Sequence, residues 1–456
     1  MPLPQPLAPI TLLALAFVFM PFGRMIEIPL GLLAIFGALC LRRGLSLQRG
    51  VHWSGLLALT LLFLTPMLLA LPDAVALEKS VLTTLAAFRF PFFACALLWF
   101  AQQAEDQNSF IQSSINLLGL VVSVLLTLWC ADALLQFVRG ENILGYGRGE
   151  GYVNGIFGDD DNIKLGQTVA FLVPLGVVHI GRRAGLAAAL LALLLFLSAV
   201  VLSGKRGAWV TVIVELFALA AYYYWRGYFS VKRLAGVAIV VAALVSALFL
   251  NSDWVKQRSS VLAQAAADPS YEMLYLASGK RLPIWSTAVQ MAKDHWLNGV
   301  GPRGFRWAYT EYADPEDHWR EAAGAAGGSR ASHAHQLILE LWSETGIFGL
   351  LSYVGILVVL FTLWRGATDT ARARALPYAV ALLGMLFPIN THAAWYSSWS
   401  AAFFWLFSAL CLFALTATEA GAGKEREEGR ECEKREGGEK TAPTAPHPMP
   451  NQMAGV

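Results

Sequence analysis

Ser203–Trp225 reads SGKRGAWVTVIVELFALAAYYYW, a Ser-Gly turn and a Lys-Arg pair followed by a long apolar run. About 20 mainly apolar residues are enough for an α-helix to cross a bilayer, and Arg206 stands where this helix begins. Several other stretches of similar length occur in the 456-residue chain, in which 56% of the residues are hydrophobic and only 14% are charged. The sequence therefore predicts an all-α, polytopic membrane protein.

The hydropathy pattern, divided at clusters of charge, Pro and Gly, predicts about 12 transmembrane helices. They are expected near residues 8–22, 26–41, 55–71, 80–100, 115–138, 164–181, 184–202, 207–225, 234–250, 336–364, 375–390 and 393–417. Residues 1–250 would hold the helices before a large loop, 251–334 that loop with its own short helices, 335–417 the remaining helices, and 418–456 a disordered, charged tail. An even number of spans places both termini on the same side of the membrane.

Lys and Arg are concentrated in alternate short connections between these helices. They are Arg42, Arg43, Arg49, Arg182, Arg183, Arg226, Lys232, Arg233, Arg365, Arg372 and Arg374. Because cytoplasmic loops carry an excess of Lys and Arg, these connections and both termini are predicted to be cytoplasmic. The connection with Glu105 and Asp106 departs from this pattern. The turn 203–206, the Gly-rich loop 139–163 and the segment 251–334 would then lie on the opposite face.

Composition also excludes several kinds of binding. The formal net charge is +2, and no Lys/Arg cluster alternates with aromatic residues, so a nucleic-acid partner is not expected. Four of the five cysteines lie in apolar segments and Cys432 in the charged tail, which gives neither a disulfide framework nor a CxxC zinc motif. No metal and no cofactor are predicted, since the pair His333 and His335 lacks an evident third ligand. Asp159, Asp160 and Asp161 are expected to cap a helix that starts near Asn162.

The tetrapeptide SGKR occurs twice on the predicted non-cytoplasmic face, at 203–206 and at 278–281. A guanidinium gives bidentate hydrogen bonds to phosphate oxygens, and Arg206 stands at a helix N-terminus, which favours anions. Two interpretations are open for Arg206: phosphate binding together with its counterpart, or extension toward lipid headgroups. Extension toward the headgroups is the preferred interpretation for Lys205.

His335 directly precedes a long apolar stretch in SHAHQLILELWSETGIFGLL. Ser332 is the expected N-cap, and one helix over 336–364 would exceed the roughly 30 Å membrane core, so its first turn would project from the lipid. The positive end of that helix would keep the imidazole neutral and available as a base. A structural hydrogen-bond donor is the alternative role for His335.

Arg89 lies near the middle of a predicted span, where a charge is costly unless it has a partner. It is therefore either a functional residue or one member of a buried ion pair with a carboxylate such as Asp132 or Glu215. Arg303 and Arg306 lie on the Gly- and Pro-containing turn GVGPRGFRW. This turn could hold an anionic group or simply form surface.

Together these residues resemble the O-antigen ligase and O-antigen polymerase superfamily of bacterial inner-membrane glycosyltransferases. The resemblance rests on His335-Gln336 before an apolar helix that carries Glu-x-Gly-x-x-Gly at 344–349. Further matches are Arg206 after its Ser-Gly turn, Arg-x-x-x-Trp from Arg281, the GVGPRGF stretch, and Gly-Ile-Phe-x-x-x-x-Asn ending at Asn162. Gln336 stands where Asn is commoner, and the Asp triplet before Asn162 is unusual. The resemblance covers most of residues 140–417.

The resemblance implies a GT-C-like fold and a metal-independent, inverting transfer of a glycan from undecaprenyl diphosphate on the periplasmic side of the bacterial inner membrane. His335 would deprotonate the acceptor hydroxyl, and Arg206 and Arg281, with Arg89 and Arg303, would bind the diphosphate. The expected partners are the undecaprenyl-diphosphate-linked glycan as donor, lipid A-core oligosaccharide as acceptor, and membrane lipids.

Three other functions stay open at this point. O-antigen polymerisation and protein O-glycosylation would use the same donor chemistry with a different acceptor. A polytopic transporter would be a different class, which an intramembrane arginine would suit. Transporters, however, place their site near the membrane midplane between repeated halves, whereas no repeat is evident here and the polar residues lie mainly in loops.

Overall fold

The computed structural model of the protein describes residues 7–42, 52–148, 152–158, 164–251, 253–324, 327–390 and 394–416. Within these ranges the chain forms 16 α-helices and short 3-10 turns, and it forms no β-strand. The helices are α1 (Leu7–Phe19), α2 (Glu27–Arg42), α3 (Trp53–Leu69), α4 (Leu77–Ala87), α5 (Arg89–Gln103), α6 (Gln107–Arg139), α7 (Leu165–Leu202), α8 (Arg206–Trp225), α9 (Val231–Asn251), α10 (Asp253–Ala267), α11 (Tyr271–Ala277), α12 (Leu282–Asp294), α13 (Phe305–Tyr312), α14 (Leu337–Gly366), α15 (Asp369–Met385) and α16 (Ser398–Leu415).

Seven helical segments of the described chain are long and apolar enough to cross a membrane. They are Gly23–Arg42, Leu77–Gln103, Gln107–Arg139, Leu165–Leu202, Arg206–Trp225, Leu337–Gly366 and Ser398–Leu415. Ala8–Phe19 and Trp53–Leu69 are shorter apolar helices. The prediction of an all-helical polytopic protein is confirmed, whereas the number of about 12 spans stays a prediction.

Helix α7 is a hairpin of two antiparallel limbs. Gly185 has φ 85° and ψ 177°, which no helix contains. Gly176 on the first limb lies against the ring of Phe196 on the second, and Gly166 packs against Ser203 at the far end of the hairpin. A straight helix would separate Gly176 from Phe196 by about 30 Å. The chain therefore turns back at Gly185, beside the predicted connection between 164–181 and 184–202.

Helix α14 is broken at Gly346, so the prediction of one straight helix over 336–364 is wrong. Gly346 has φ 61° and ψ −151°, and a Cβ there would collide with the backbone of Leu297. The break frees carbonyl groups of the first limb for the turn after α12. Val300 N–H donates to the carbonyl of Ser343 at 2.9 Å, and Gly301 N–H donates to that of Glu344 at 3.0 Å. The glycine of the Glu-x-Gly motif thus joins α14 to the GVGPRG turn.

The segment between α9 and α14 contains the expected short helices, α10 to α13, and has a hydrophobic core of its own. Ile284, Ala288, Met291, Phe305 and Tyr309 are among its buried residues. Leu282, Trp285 and Val289 on α12 are not among the residues of this core. Helix α12 ends at Asp294, and Trp296 beyond it is 59% exposed. The core side is instead the neighbouring stripe through Ile284 and Ala288.

The connections rich in Lys and Arg meet at one end of the helices. There Arg226 pairs with Asp369 at 2.7 Å, and Arg374 donates to the carbonyl of Thr416 at 3.0 Å. Arg182 also bonds there, to the carbonyl of Ala373. Each of these arginines has an acidic or carbonyl partner.

Connections predicted to lie on the other face of the membrane meet at the opposite end of the helices. Val75 N–H donates to the carbonyl of Val300 at 3.0 Å, which joins the turn before α4 to the large loop. Val153 N–H donates to the carbonyl of Leu202 at 3.1 Å, which joins the Gly-rich loop to the turn before α8. The predicted functional turns therefore share one end of the molecule.

Candidate functional site

Three segments that are far apart in the sequence supply one group of basic side chains. The turn between α7 and α8 carries Lys205 and Arg206, the turn between α11 and α12 carries Arg281, and the approach to α14 carries His335. These four residues, named here the His335 cluster, are close enough for their charges to change one another's pKa. Three of the site residues predicted from the sequence, Arg206, Arg281 and His335, thus come together.

The two SGKR turns are in direct contact. In each turn the glycine is left-handed, with φ 69° at Gly204 and φ 74° at Gly279. The Arg206 guanidinium donates a hydrogen bond to the carbonyl of Ala277, and a side chain on Gly279 would collide with that guanidinium. The second turn is held in shape by Ser278, whose hydroxyl accepts from the Arg281 N–H at 3.1 Å. The repeated tetrapeptide therefore marks two halves of one structure.

Burial and like charge act together on the cations of the cluster. Burial, followed by the positive charge of Arg206, lowers the pKa of Arg281 to about 10. Burial, followed by the charge of Arg281, lowers the pKa of Lys205 to about 8. Partly buried cations that repel one another are stabilised by an anion placed between them. Lys205 therefore belongs to this cluster, and the interpretation that it extends to lipid headgroups is wrong.

His335 is neutral in this environment. Burial, then the charges of Arg281 and Lys205, lower its pKa to about 3. Burial and neighbouring cations thus act in addition to the predicted cause, the positive end of α14. The Nδ1 atom of His335 is buried and has no hydrogen-bond partner within the described ranges. A neutral ring with an unused nitrogen can accept a proton from a substrate hydroxyl.

Gln336 caps α14, so the prediction that Ser332 is the N-cap is wrong. The Gln336 side-chain oxygen accepts from the Leu339 N–H at 2.6 Å, and its amide donates to the carbonyl of Pro388 at 2.8 Å. Ser332 instead bonds the Nδ1 atom of His333 at 2.8 Å. Gln336, the second residue of the His-Gln pair, therefore fixes where α14 starts. It also fixes the position of His335 relative to that helix.

Backbone strain is concentrated near the candidate site. Among the described residues, the non-glycine positions with positive φ are Lys280 (64°), Arg303 (63°) and His335 (53°). Such conformations cost about 1–3 kcal/mol each and persist where the surrounding structure imposes them, often at functional sites. Two of these positions flank or belong to the His335 cluster, and the third is a predicted anion-binding arginine.

Arg89 and Arg303 lie at a second place. Both line a cavity of about 280 Å³, together with Lys79 on α4 and Tyr396 before α16. The backbone N–H of Arg303 donates to the Glu344 carboxylate at 2.7 Å, which places it beside the C-terminal end of the first limb of α14. His335 stands before the N-terminal end of that limb. The structure thus separates these two arginines from the His335 cluster.

Arg89 has a carboxylate partner, but neither of the two proposed from the sequence. Its guanidinium pairs with Glu27 on α2 at 2.9 Å. Asp132 instead accepts from the N–H of Ile143 at 2.9 Å. Arg89 opens α5 where that helix joins α4 at Phe88, because Pro91 has no N–H to offer the carbonyl four residues earlier.

Gln136 on α6 is a structural residue that the sequence did not reveal. It is fully buried, and its side-chain oxygen accepts from the N–H groups of Asn154 and Gly155 at 2.9 and 2.8 Å. Its amide donates to the carbonyls of Tyr146 and Gly147 at 3.1 and 2.9 Å. This side chain holds both parts of the Gly-rich loop beside the turn before α8. Asp159–Asp161 and Asn162 lie outside the described residues, as does the tail from 418.

Two buried glutamates on the first limb of α14 also escaped sequence analysis. Glu340 accepts from the N–H of Trp395 at 2.6 Å, and Glu344 accepts from the N–H of Arg303. They tie α14 to the start of α16 and to the GVGPRG turn. Their spacing of four residues on one helical face was the available signal. In the described part of the chain, no three His, Cys, Asp or Glu side chains come together as a metal site would require.

Comparison with known proteins relates part of this chain to a family. Residues 191–354 match the family described as O-antigen ligase, and this region contains Arg206, Arg281, Arg303 and His335. No curated protein matches the chain. The family match confirms the resemblance drawn from the motifs and supports the membership of this chain in the O-antigen ligase superfamily.

Proposed function

We propose that the protein is a glycosyltransferase that transfers O-antigen polysaccharide from undecaprenyl diphosphate to lipid A-core oligosaccharide. The observation that carries this proposal is the convergence of Lys205, Arg206 and Arg281 on His335. A cluster of cations suits a diphosphate, and a neutral imidazole beside it suits a hydroxyl nucleophile. The O-antigen ligase family match supports the same class of reaction.

In the proposed step, the acceptor hydroxyl oxygen forms a bond to the anomeric carbon of the donor sugar. The bond from that carbon to the diphosphate oxygen breaks, and the electron pair leaves with the diphosphate. His335 takes the hydroxyl proton, while Arg206 and Arg281 stabilise the negative charge that grows on the leaving group. Attack from the face opposite the diphosphate inverts the anomeric configuration, and no metal is part of this step.

The low pKa of His335 suits a binding order in which the donor binds before the acceptor reacts. Without an anion, burial and then the charges of Arg281 and Lys205 make protonation of the ring unfavourable. A bound diphosphate offsets these positive charges and raises the basicity of His335, because opposite charge favours the protonated form. The ring therefore becomes an effective base after the donor has bound.

The proposal includes a location. The basic connections around Arg226 and Arg374 would face the cytoplasm and the His335 cluster the periplasm, in a bacterial inner membrane. The lipid-linked donor then reaches the cluster from the outer leaflet. A reporter enzyme fused after Thr418 is expected to be active on the cytoplasmic side, and periplasmic activity would reverse the orientation.

The central experiment is reconstitution of the purified protein with a lipid-linked glycan and lipid A-core. His335→Ala, Arg206→Ala and Arg281→Ala are compared with Arg330→Ala, which removes a surface arginine that is 58% exposed. The first three variants should lose transfer while Arg330→Ala keeps it. Wild-type turnover by His335→Ala would refute the role of base.

Acceptor choice tests the alternatives within the superfamily. The same donor is offered with lipid A-core, with a second lipid-linked glycan, or with an acceptor protein. Transfer to lipid A-core alone supports the ligase, and transfer to either of the others identifies a polymerase or a protein O-oligosaccharyltransferase. Inactivation by a chelator with recovery on adding zinc would refute the metal-independent step.

A further inference from the structure

The cavity beside Arg89 and Arg303 has the chemistry of a second anion site. Besides these arginines, Lys79 lines it, and its hydroxyl groups come from Thr83, Tyr396, Ser397 and Ser398. The Nη1 atom of Arg303 and the Nε atom of Arg89 are buried and have no hydrogen-bond partner within the described ranges. A phosphate oxygen is the natural acceptor for the ammonium and guanidinium groups of the residues that line the cavity.

The charge at this cavity is only partly compensated by acids. Glu27 pairs with Arg89 at 2.9 Å, and Glu340 and Glu344 lie close enough to Arg303 to interact with its charge. Lys79 is exposed at the cavity rim. Three cationic side chains therefore surround a space large enough for a phosphate, which has a volume well below 280 Å³.

The cavity opens beside an exposed apolar surface. It is lined by α3, α4 and α5 and by the start of α16, and α4 and α5 form the candidate span Leu77–Gln103. Leu82 lines the cavity and is 57% exposed, and Leu85 on the same helix is 62% exposed. An exposed apolar helix next to a cationic cavity fits an amphiphile whose acyl chains lie along α4 and whose headgroup enters the cavity.

The first limb of α14 connects this cavity to the His335 cluster. Gln336 caps the limb next to His335, and Glu344, near its other end, holds Arg303. Eight residues of helix correspond to about 12 Å. A phosphorylated headgroup at Arg303 would therefore lie at a distance that its attached sugars can span to reach the base.

We infer that Lys79, Arg89 and Arg303 bind the phosphate of the acceptor glycolipid, while the His335 cluster binds the donor diphosphate. The inference rests on the proposed function, since it assigns the acceptor to a site distinct from that of the donor. It also gives Arg89 and Arg303 a different ligand from the one that the sequence resemblance implied.

The test separates the kinetic constants for the two substrates. Lys79→Gln and Arg303→Gln should raise the KM for phosphorylated lipid A-core about tenfold, the loss expected for one hydrogen bond to a charged group. The KM for the donor should stay the same. Lys293→Gln, an exposed lysine on α12, is the matched control and should change neither constant. Arg303→Lys should recover part of the loss if charge matters, whereas equal defects in both Arg303 variants would indicate damage to the fold.

Dephosphorylated lipid A-core is the second acceptor to be tested with the same variants. The wild type should show a raised KM for it, and the two Gln variants should lose little more, because the group that they contact is already absent. The inference would be overturned if the two Gln variants raised the KM for the dephosphorylated acceptor by the same factor as for the phosphorylated one. A change in the KM for the donor instead would overturn it as well.

A binding measurement keeps this inference separate from the proposed function. Vesicles containing phosphorylated lipid A-core, its dephosphorylated form or phosphatidylglycerol are titrated with wild-type and Arg303→Gln protein. Preferential binding of the phosphorylated acceptor, reduced about tenfold in the variant, supports the site even if no transfer occurs. Equal binding of phosphatidylglycerol would mean a general lipid site and would refute the acceptor assignment.

Discussion

Arginines at the two ends of this protein have opposite surroundings. At one end Arg226 pairs with Asp369, and Arg374 donates to the Thr416 carbonyl. At the other end Arg281 lies beside Arg206, and each cation lowers the pKa of a neighbour. Paired arginines stabilise a connection, whereas cations held against one another cost free energy that only an anionic ligand offsets. Arg226 and Arg281 thus differ in the charge of a neighbouring side chain, which is an acid for Arg226 and a cation for Arg281.

The largest expected effect separates these two ends directly. Arg281→Ala should reduce transfer by about 100-fold or more, as loss of a group that stabilises a leaving group does. Arg226→Ala should leave transfer nearly unchanged, because its ion pair with Asp369 is largely exposed and contributes at most about 1 kcal/mol. Turnover in the reconstituted assay and the thermal unfolding midpoint are measured for both. A comparable loss of activity in the two variants would contradict the difference in role proposed for Arg281 and Arg226.

A second comparison uses the two glycine breaks. Gly346→Ala requires a left-handed alanine and also forces a methyl group against the backbone of Leu297. Gly185→Ala requires the left-handed alanine alone, since nothing lies within 4 Å of the added carbon. Strain without collision costs about 1–2 kcal/mol, so Gly185→Ala should express and fold, and Gly346→Ala should lower the unfolding midpoint further and reduce transfer. Equal stability of the two variants would contradict the close packing of α14 on the large loop.

The contact between the SGKR turns allows a smaller, matched test. Gly279→Ala places a methyl group against the Arg206 guanidinium at φ 74°, whereas Gly227→Ala, at φ 72°, meets nothing within 4 Å. Both carry the same backbone strain, about 1–2 kcal/mol. Only Gly279→Ala should displace Arg206, and it should raise the donor KM about tenfold. If both variants raise the KM equally, backbone strain alone explains the effect.

The last comparison concerns the pH dependence of stability. His335 has a pKa of about 3 in the folded protein and 6.5 as its ordinary value, so the unfolded chain binds one more proton between these values. Stability should therefore fall as the pH drops from about 6.5 toward 3, by at most about 1.4 kcal/mol per pH unit. His335→Gln removes this contribution, and its unfolding midpoint should fall less steeply over pH 6.5–4.5. Parallel curves for the two proteins would show that His335 is not buried as a neutral ring.

The sequence predicted the residues of the His335 cluster better than their surroundings. Arg206, Arg281 and His335 were found because two SGKR turns and a histidine before an apolar helix are local patterns. The neutral state of His335 was also expected, from the positive end of the helix alone. Its cause is burial beside Arg281 and Lys205, which depends on segments that meet only in the folded chain.

The helix breaks and ion pairs of the fold were harder to predict from the sequence. Hydropathy continues across Gly346, so one helix was predicted, and only the contact with Leu297 requires a left-handed residue there. The partner of Arg89 depends on the packing of α2 against α5, which brings Glu27 to it. No spacing rule distinguishes Glu27 from Asp132 or Glu215. The missing information was long-range packing and not residue chemistry.

The hydrogen bond between Arg206 and the second SGKR turn has a consequence for biogenesis. It joins the start of a membrane helix to a loop that is synthesised many residues later, and contacts so distant along the chain form late because the intervening segment must first be closed. A nascent chain with its early helices already inserted therefore still lacks the contact between Arg206 and the turn that carries Arg281. The proposed diphosphate site is complete only when the large loop has folded.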